Sequence, residues 1–219
     1  MQARTGSRPA GLDRATVATT ALGLLDEVGL DGLTVRRLAA ELGVQSPALY
    51  WHFRNKQELL DLMAQELQTA LPPSPPADDE AWPQWVARRA RQRRQLLLSR
   101  RDGARLVAGT SAGPAVARQA EAELRPLVAV GFTPTQALRA IIAIGHYVTG
   151  FVMEEQSARQ RPPQQPPPAS AGLETPTLMA ALRSGGPPES EDAFEQGVSM
   201  LIDGMQALLG RAANQPPHR

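Results

Sequence analysis

Apolar residues recur along the chain at intervals of three and four positions, which places them on one face of an α-helix. The alternation of apolar and polar residues that is typical of strands is almost absent. Start signals (Ser, Thr, Asp, Asn) and stop signals (Gly, Pro) divide the pattern into separate elements. The predicted helices cover residues 13–29, 34–42, 46–52, 55–71, 81–98, 114–130, 134–155, 176–183 and 191–209.

Two of these helices are short and lie next to each other. Thr34 is a suitable N-cap for the first of them, and Gly43 favours the left-handed conformation that ends a helix. Ser46 can cap the second helix, and Pro47 suits its first turn. Two short helices around a tight turn that contains Gly are typical of a helix-turn-helix. The motif predicts DNA binding.

Proline-rich segments divide the chain. Residues 72–76 read PPSPP, and proline both lacks a backbone donor and disfavours the helical conformation in the residue before it. We therefore predict an N-terminal domain at 1–71, with a flexible tail at 1–11, and a larger helical domain at 77–211. A second segment, 161–176, is predicted to be an extended and solvated linker.

Charge is local rather than global. The net charge of +1 gives no long-range attraction to nucleic acid. The helix-turn-helix region is nevertheless basic, because Arg36, Arg37, Arg54 and Lys56 face a single acid, Glu41. This distribution favours DNA as the partner of the N-terminal domain.

Composition narrows the remaining classes. Hydrophobic residues make up 42% of the chain, enough for a packed core, and the absence of cysteine excludes disulfides and thiolate chemistry. No apolar signal-peptide segment stands at the N-terminus, and no uninterrupted apolar run reaches about eighteen residues. We expect a soluble, cytoplasmic protein with no membrane partner.

Several stretches resemble the TetR family of transcriptional regulators. The strongest are GLTVRRLA at 32–39 and LYWHFRNK at 49–56, and RDGA at 101–104, HYVTG at 146–150 and EEQ at 154–156 continue the likeness. Within the family the pattern is closest to the tetracycline repressor branch. The resemblance implies an all-α homodimer in which the N-terminal three-helix helix-turn-helix domain binds a palindromic operator. The larger domain would bind a ligand and form a four-helix dimer interface from helices 134–155 and 191–209.

The second short helix is the predicted recognition helix, whose N-terminal residues face base edges in the major groove. Arg36 can form a bidentate pair with guanine, Gln45 can pair with adenine, and Pro47 or Ala48 can contact a thymine methyl. The resemblance assigns other positions mostly to phosphate and sugar, which fix register. The predicted DNA contacts are Thr34, Arg36, Gln45, Ser46, Pro47, Ala48, Tyr50, Trp51, His52 and Lys56. For Trp51 and Leu49 the alternative is a place in the domain core, and for Leu49 we favour it.

The resemblance also implies an effector site in the larger domain. The predicted ligand contacts are Arg89, Arg93, Val107, Thr110, Leu138, Ile141 and Glu154. Where Val107 stands, tetracycline repressors have a histidine that holds the drug's magnesium, so the main nitrogen ligand is missing here. We therefore expect an effector other than tetracycline–magnesium, with an anionic or phenolic molecule as one candidate.

Arg89 and Arg93 lie four positions apart, hence on one helical face. If they point inward they need partners: Glu154 and Glu155, from the same or the other subunit, are candidates, and an anionic or phenolic ligand is the other. A solvated face is the alternative. Trp82 and Trp85 can form walls of a ligand pocket or pack in the core.

Other function classes stay open. A regulator controlled by a protein partner instead of a small molecule fits the same helices, and so does a transcriptional activator. An enzyme is disfavoured, because the three histidines (His52, His146 and His218) are scattered and no phosphate-binding glycine loop follows a strand. His146 beside Glu154 or Glu155 could suggest acid–base chemistry, but a structural histidine is the favoured interpretation. We expect no metal and no cofactor.

Overall fold

The computed structural model describes residues 12–111, 113–160 and 175–213, and over these residues the chain forms α-helices and no strand. The helices are α1 (Arg14–Gly32), α2 (Val35–Glu41), α3 (Ser46–Leu49), α4 (Lys56–Thr69), α5 (Trp82–Leu98), α6 (Gly103–Ala108), α7 (Pro114–Ala129), α8 (Pro134–Gln160), α9 (Pro176–Gly185) and α10 (Glu191–Ala213). The predicted all-α fold class is confirmed. The predicted tail 1–11 and residues 161–174 of the predicted second linker lie outside the described residues.

Local signals start and stop the N-terminal helices. Asp13 accepts a hydrogen bond from the Thr16 amide at 2.7 Å, and Asn55 caps α4 through the amide of Glu58 at 2.9 Å. Gly29 has a positive φ of 71°, which interrupts α1 at the residue where the helix was predicted to stop. The helix then continues for about one more turn, to Gly32. These caps confirm the starts of both helices.

The recognition helix α3 is shorter than predicted. It ends at Leu49, and Gln45 rather than Ser46 is its N-cap, without a side-chain hydrogen bond. The His52 amide then donates to the Leu49 carbonyl at 2.9 Å, a bond that spans three residues. Because Asn55 must adopt an extended conformation to cap α4, the chain has to leave the helical conformation early. Ser46 as a cap, and helical structure up to residue 52, were wrong.

The first four helices share one core. Helix α1 packs against α2 and α4, and α2 packs against α3. The largest fully buried side chains of this part are Leu25, Leu33, Leu38, Leu49, Phe53, Leu59 and Met63. One face of α3 packs on this core through Leu49, and the other face is exposed to solvent.

Helix α8 is the centre of the C-terminal part and packs against α5, α6, α7 and α10. It is long and apolar enough to cross a membrane by length and composition, with a mean hydropathy of 1.2 over its most apolar window. Its contacts with four neighbouring helices identify it instead as the core helix of a globular domain. One stripe stays uncovered in the single chain and includes Leu138, Ile142 and Met153.

The sequence predicted only a turn at residues 101–103, whereas helix α6 starts there at Gly103. Asp102 precedes it in the left-handed conformation, with a φ of 56°. Six residues give too little periodicity to predict a helix, and α6 is stabilised by the burial of Gly103, Ala104 and Leu106. The Ala104 amide also donates to the buried Gln156 of α8 at 3.3 Å.

The segment around α6 forms hydrogen bonds with both the N-terminal and the C-terminal helices, and an ion pair with α1. The carboxylate of Asp102 accepts hydrogen bonds from the Leu30 amide of α1 at 2.8 Å and from Gln160 of α8 at 3.2 Å. Arg105 forms a two-pronged ion pair with Asp31 at 2.7 and 2.8 Å. A shift of α6 therefore changes contacts with the helix-turn-helix part.

Candidate functional site

The first part of the site is the exposed face of α2, α3 and the turn after α3. Of the predicted DNA contacts, Thr34, Arg36, Gln45, Pro47, Tyr50, Trp51 and Lys56 are exposed, and Ser46, Ala48 and His52 are partly exposed. Trp51 is 90% exposed, so its alternative assignment to the core is wrong, whereas Leu49 is fully buried, as favoured. The predicted contacts thus share one accessible surface.

The capped start of α2 positions Arg36. The Thr34 hydroxyl accepts a hydrogen bond from the Arg37 amide at 3.2 Å, and Arg36 follows in the first turn with its side chain in solvent. Tyr50 is 53% exposed, and its ring lies 6.1 Å from that of the buried Phe53. Arg36 and Tyr50 thus project into solvent from backbone that lies next to the buried Leu38 and Leu49.

Cations on this face are unpaired. Arg36, Arg37, Arg54 and Lys56 are exposed, and none of them forms an ion pair within the described part of the chain. Arginines elsewhere do pair, including Arg88, Arg89, Arg91, Arg94, Arg100 and Arg105. The unpaired cations stay available to neutralise phosphates.

The second part of the site is a cavity of about 660 Å³ lined by α5, α7, α8, the end of α4 and the last turn of α6. Of the predicted ligand contacts, Arg89, Arg93, Val107, Thr110 and Ile141 line it. Its volume lies in the range that encloses most of a drug-sized molecule.

Two predicted ligand contacts lie elsewhere. Leu138 is 43% exposed on the uncovered stripe of α8, one turn before Ile141, so the cavity does not extend to that turn. Glu154 is exposed and lines a smaller cavity of about 310 Å³ together with Tyr147 and Glu189. Within a single chain, neither contributes to the large cavity.

The two tryptophans separate as well. Trp85 lines the cavity, and its indole N–H donates to the Ser74 carbonyl at 2.7 Å. Trp82 packs edge-on against Phe132, with ring centroids 5.3 Å apart, and does not line the cavity. The wall is therefore Trp85, and Trp82 is a packing residue.

Arg89 has a partner that the sequence did not suggest. Its Nε and Nη2 atoms donate to Glu123 Oε1 at 3.1 and 2.6 Å. Within one chain Arg89 does not pair with Glu155, which faces Arg94 at 3.0 Å; α7 supplies the carboxylate that faces the cavity. Glu123 is 34 positions away in sequence and carries no local signal.

Arg93 lies one turn after Arg89 and also lines the cavity, while its side chain keeps partial exposure to solvent. Its Nε is buried and has no hydrogen-bond partner among the described residues. Burial lowers the pKa of this guanidinium, the nearby Glu123 opposes the shift, and Arg89 adds to it. Arg93 is thus a partly exposed cation whose Nε is buried, and no acid is bonded to it among the described residues.

The cavity reaches the helix that leads to the DNA-binding surface. Gln68 and Leu71, at the end of α4, line it. Arg89 Nη1 donates to the Pro72 carbonyl at 3.1 Å, and Gln119 of α7 donates to the Leu71 carbonyl at 2.5 Å. Helix α4 in turn packs along α1. Occupants of the cavity therefore contact a helix shared by both parts of the site.

Metal donors are sparse. No group of three or more His, Cys, Asp or Glu side chains that could hold a metal ion occurs in ranges 12–111, 113–160 and 175–213. Val107 occupies the position where tetracycline repressors have a metal-binding histidine, and it brings an apolar side chain to the cavity. Among the described residues that line the cavity, His146 is the only histidine.

Two family profiles match the chain, one described as "Bacterial regulatory proteins, tetR family" over residues 18–63 and one as "Tetracyclin repressor-like, C-terminal domain" over residues 74–209. The tetracycline repressor protein class A from transposon 1721 of Escherichia coli is 42% identical over 192 residues, covering 87% of this chain and 88% of that protein.

Solved structures agree with these matches. A possible TetR family transcriptional regulator from Streptomyces coelicolor A3(2) superposes with a TM-score of 0.77 at 38% identity, covering 90% of this chain and 100% of that one. TetR (class A) in complex with 5a,6-anhydrotetracycline and magnesium gives a TM-score of 0.66 at 38% identity, covering 90% of this chain and 99% of that one.

Proposed function

The chain belongs to the TetR family of bacterial regulatory proteins, and we propose that it is a transcriptional repressor that binds a palindromic operator as a homodimer and leaves it when a small molecule fills the cavity. The repressor role is carried over from its relatives, which are tetracycline repressors. The DNA-binding part comprises residues 1–71, the ligand-binding and dimerisation part residues 77–211, and the protein acts in the cytoplasm without catalysing a reaction.

One observation carries the DNA-binding role: the surface around α3 combines unpaired cations with large exposed aromatic side chains. Arg36 and Lys56 have no ion-pair partner in the described chain, and Tyr50 and Trp51 stand in solvent. Unpaired cations lower the free energy of binding to phosphates, and exposed aromatic side chains mark an interaction surface. The ten predicted contacts are proposed to meet the operator there.

The homodimer would form on the uncovered stripe of α8 together with α10. Exposed apolar residues lie on both helices: Leu138, Ile142, Met153, Met200 and Leu208. Pairing these helices with their symmetry mates gives the four-helix interface and sets the two recognition helices about 34–36 Å apart. Gly197 leaves room for Tyr147 of the same chain, because a Cβ added there would clash with the Tyr147 ring. A Cβ added at Gly150 or Gly204 would meet no atom within 4 Å, so these two positions allow another helix to approach closely.

Effector release would run through α4. A molecule that occupies the cavity contacts Gln68 and Leu71. It competes for the two hydrogen bonds that hold the end of α4, which run from Arg89 to the Pro72 carbonyl and from Gln119 to the Leu71 carbonyl. A tilt of α4 moves α1 and changes the separation of the two recognition helices. Binding that favours one separation shifts the population toward it.

The direct test uses the DNA that flanks the gene of this protein. We expect gel-shift titration to show one dimer on a palindrome whose half-sites lie about one helical turn apart. A folded monomer, or binding no tighter than to unrelated DNA, would contradict the proposal. A thermal-shift screen then separates a small-molecule switch, which predicts a stabilising compound, from control by a protein partner, which predicts none.

Two substitutions on the DNA-binding surface should differ in kind. We expect Arg36→Ala to relax specificity at one base pair by about 1–3 kcal/mol, because a bidentate pair to one base is lost. Lys56→Ala should weaken binding to all sequences alike and reduce by about one the slope of log binding constant against log salt concentration. Titration of single-base operator variants at several salt concentrations measures both. Identical behaviour of the two variants would show that Arg36 does not read a base.

A further inference from the structure

We propose that the effector is an organic carboxylate with one negative charge and a mainly apolar body, and that its carboxylate pairs with Arg93. The inference rests on the proposed function, since it names the class of molecule that enters the cavity. It assigns to Arg93 a partner that the described part of the chain does not supply.

The charges that line the cavity do not cancel. Among the described residues, Arg89, Arg93 and Glu123 are the lining residues with a formal charge, with His146 taken as neutral. Arg89 and Glu123 form a pair at 2.6 Å, so one positive charge is left over. It sits on Arg93, whose Nε is buried without a hydrogen-bond partner in the described structure.

The buried part of this guanidinium carries a desolvation cost. A buried charge loses its hydration and recovers that free energy only from a close counter-ion and satisfied donors. Burial is the largest cause that lowers the pKa of Arg93, and Arg89 on the preceding turn adds repulsion. A single incoming anion offsets both effects, whereas a cation or a metal chelate with net positive charge would add to them.

The guanidinium of Arg93 can be reached from the cavity. A Cβ added to Gly145 of α8 would lie 4.0 Å from Arg93 Cζ, an ordinary contact distance, so the guanidinium lies close to the Gly145 backbone, and both residues line the cavity. From the cavity side, a carboxylate can accept two parallel hydrogen bonds from the planar guanidinium, the strongest geometry that this pair of groups adopts.

The rest of the cavity demands an apolar body. Its walls include Trp85, Val107, Ile141 and Met153, and its volume is about 660 Å³. Polar groups such as Thr110 and Gln119 are few, and both already bond to backbone carbonyls. A molecule with several charges would have charges without a partner in the cavity. A small acid such as acetate would leave most of the apolar walls without contacts.

The experiment compares matched pairs of aromatic ligands. Naphthalene-2-carboxylate and anthraquinone-2-carboxylate are titrated against their primary carboxamides, which keep shape and lose charge, with calorimetry and the fluorescence of the cavity residue Trp85 as readouts. For the unaltered protein we expect the carboxylates to bind about ten- to a hundredfold more tightly than the amides.

Variants locate the charge. Arg93→Gln should abolish this preference by weakening carboxylate binding about ten- to a hundredfold, while amide binding changes little. Arg93→Lys, which keeps the charge and loses the planar fork, should retain part of the preference. The matched control is Arg91→Gln, on the same helix, because Arg91 pairs with Glu195 and lies outside the cavity. It should bind the carboxylates like the unaltered protein.

Three results would overturn the assignment: no preference for any carboxylate over its amide, an equal loss of both ligands in Arg93→Gln, or binding of tetracycline–magnesium alone. Operator binding is measured separately on the same samples. If carboxylates bind through Arg93 but the protein ignores its flanking DNA, the repressor role fails and the ligand assignment stands. If the operator is bound but no acid is preferred, the reverse holds.

Discussion

Replacing Gly103 by alanine is expected to lower the free energy of unfolding by about 3 kcal/mol, at the upper end of what overpacking costs. The added Cβ would lie 2.3 Å from the Leu97 carbonyl oxygen. That carbonyl cannot move freely, because it ends α5 and accepts a hydrogen bond from Gln156 at 3.2 Å. The clash is with backbone, so no rotamer change relieves it, and α5 and α6 must separate.

The matched control is Gly109→Ala at the other end of α6. An added Cβ there meets its nearest atom, the Arg105 carbonyl oxygen, at 3.6 Å, an ordinary contact, and the φ of −90° suits alanine. We expect a change within about 0.5 kcal/mol. Urea unfolding followed by circular dichroism measures both variants. Equal stability of the two would mean that α6 can shift without cost.

A shift of α6 would also reach the DNA-binding part. Asp102, directly before Gly103, holds the Leu30 amide at 2.8 Å. Separating α6 from α5 pulls this carboxylate away from α1. We therefore expect Gly103→Ala to weaken operator binding even at temperatures where the protein stays folded, whereas Gly109→Ala should bind the operator normally.

Features with a short sequence range could be predicted. A cap such as Asp13 or Asn55 joins a side chain to an amide three residues later, so both partners are visible in one window of sequence. The left-handed glycine at Gly43 is equally local, with a φ of 64°. Residue types at these positions therefore located most helix starts and stops and the exposed face of the helix-turn-helix.

Features that depend on tertiary packing could not be predicted from the sequence. Helix α6 is only six residues long, and the contact of Ala104 with Gln156 that stabilises it spans 52 positions. Leu138 and Ile141 are one turn apart and both apolar, yet only Ile141 faces the cavity. Periodicity gives the face of a helix but not where along that face a cavity ends.

The Arg89–Glu123 pair shows the same limit, and its removal is the second change with a large expected effect. Glu123→Gln should cost about 3 kcal/mol of stability, because it leaves the two neighbouring guanidiniums of one helical face, Arg89 and Arg93, without an acid at a largely buried position. The control on the same helix is Glu121→Gln, which breaks the exposed pair with Arg125. It should change stability by less than about 0.5 kcal/mol.

A double-mutant cycle then isolates the pair. Arg89→Met alone leaves Glu123 unpaired and frees the Pro72 carbonyl at the end of α4, so it should destabilise as well. The double variant Arg89→Met/Glu123→Leu removes both charges and should be more stable than the sum of the single changes by at least about 1 kcal/mol. Additive losses in urea unfolding would show that the two groups do not interact in solution. Since the double variant keeps Arg93, it should still bind a carboxylate. Because it already lacks the bond from Arg89 to Pro72, the carboxylate should change its operator affinity less than in the unaltered protein.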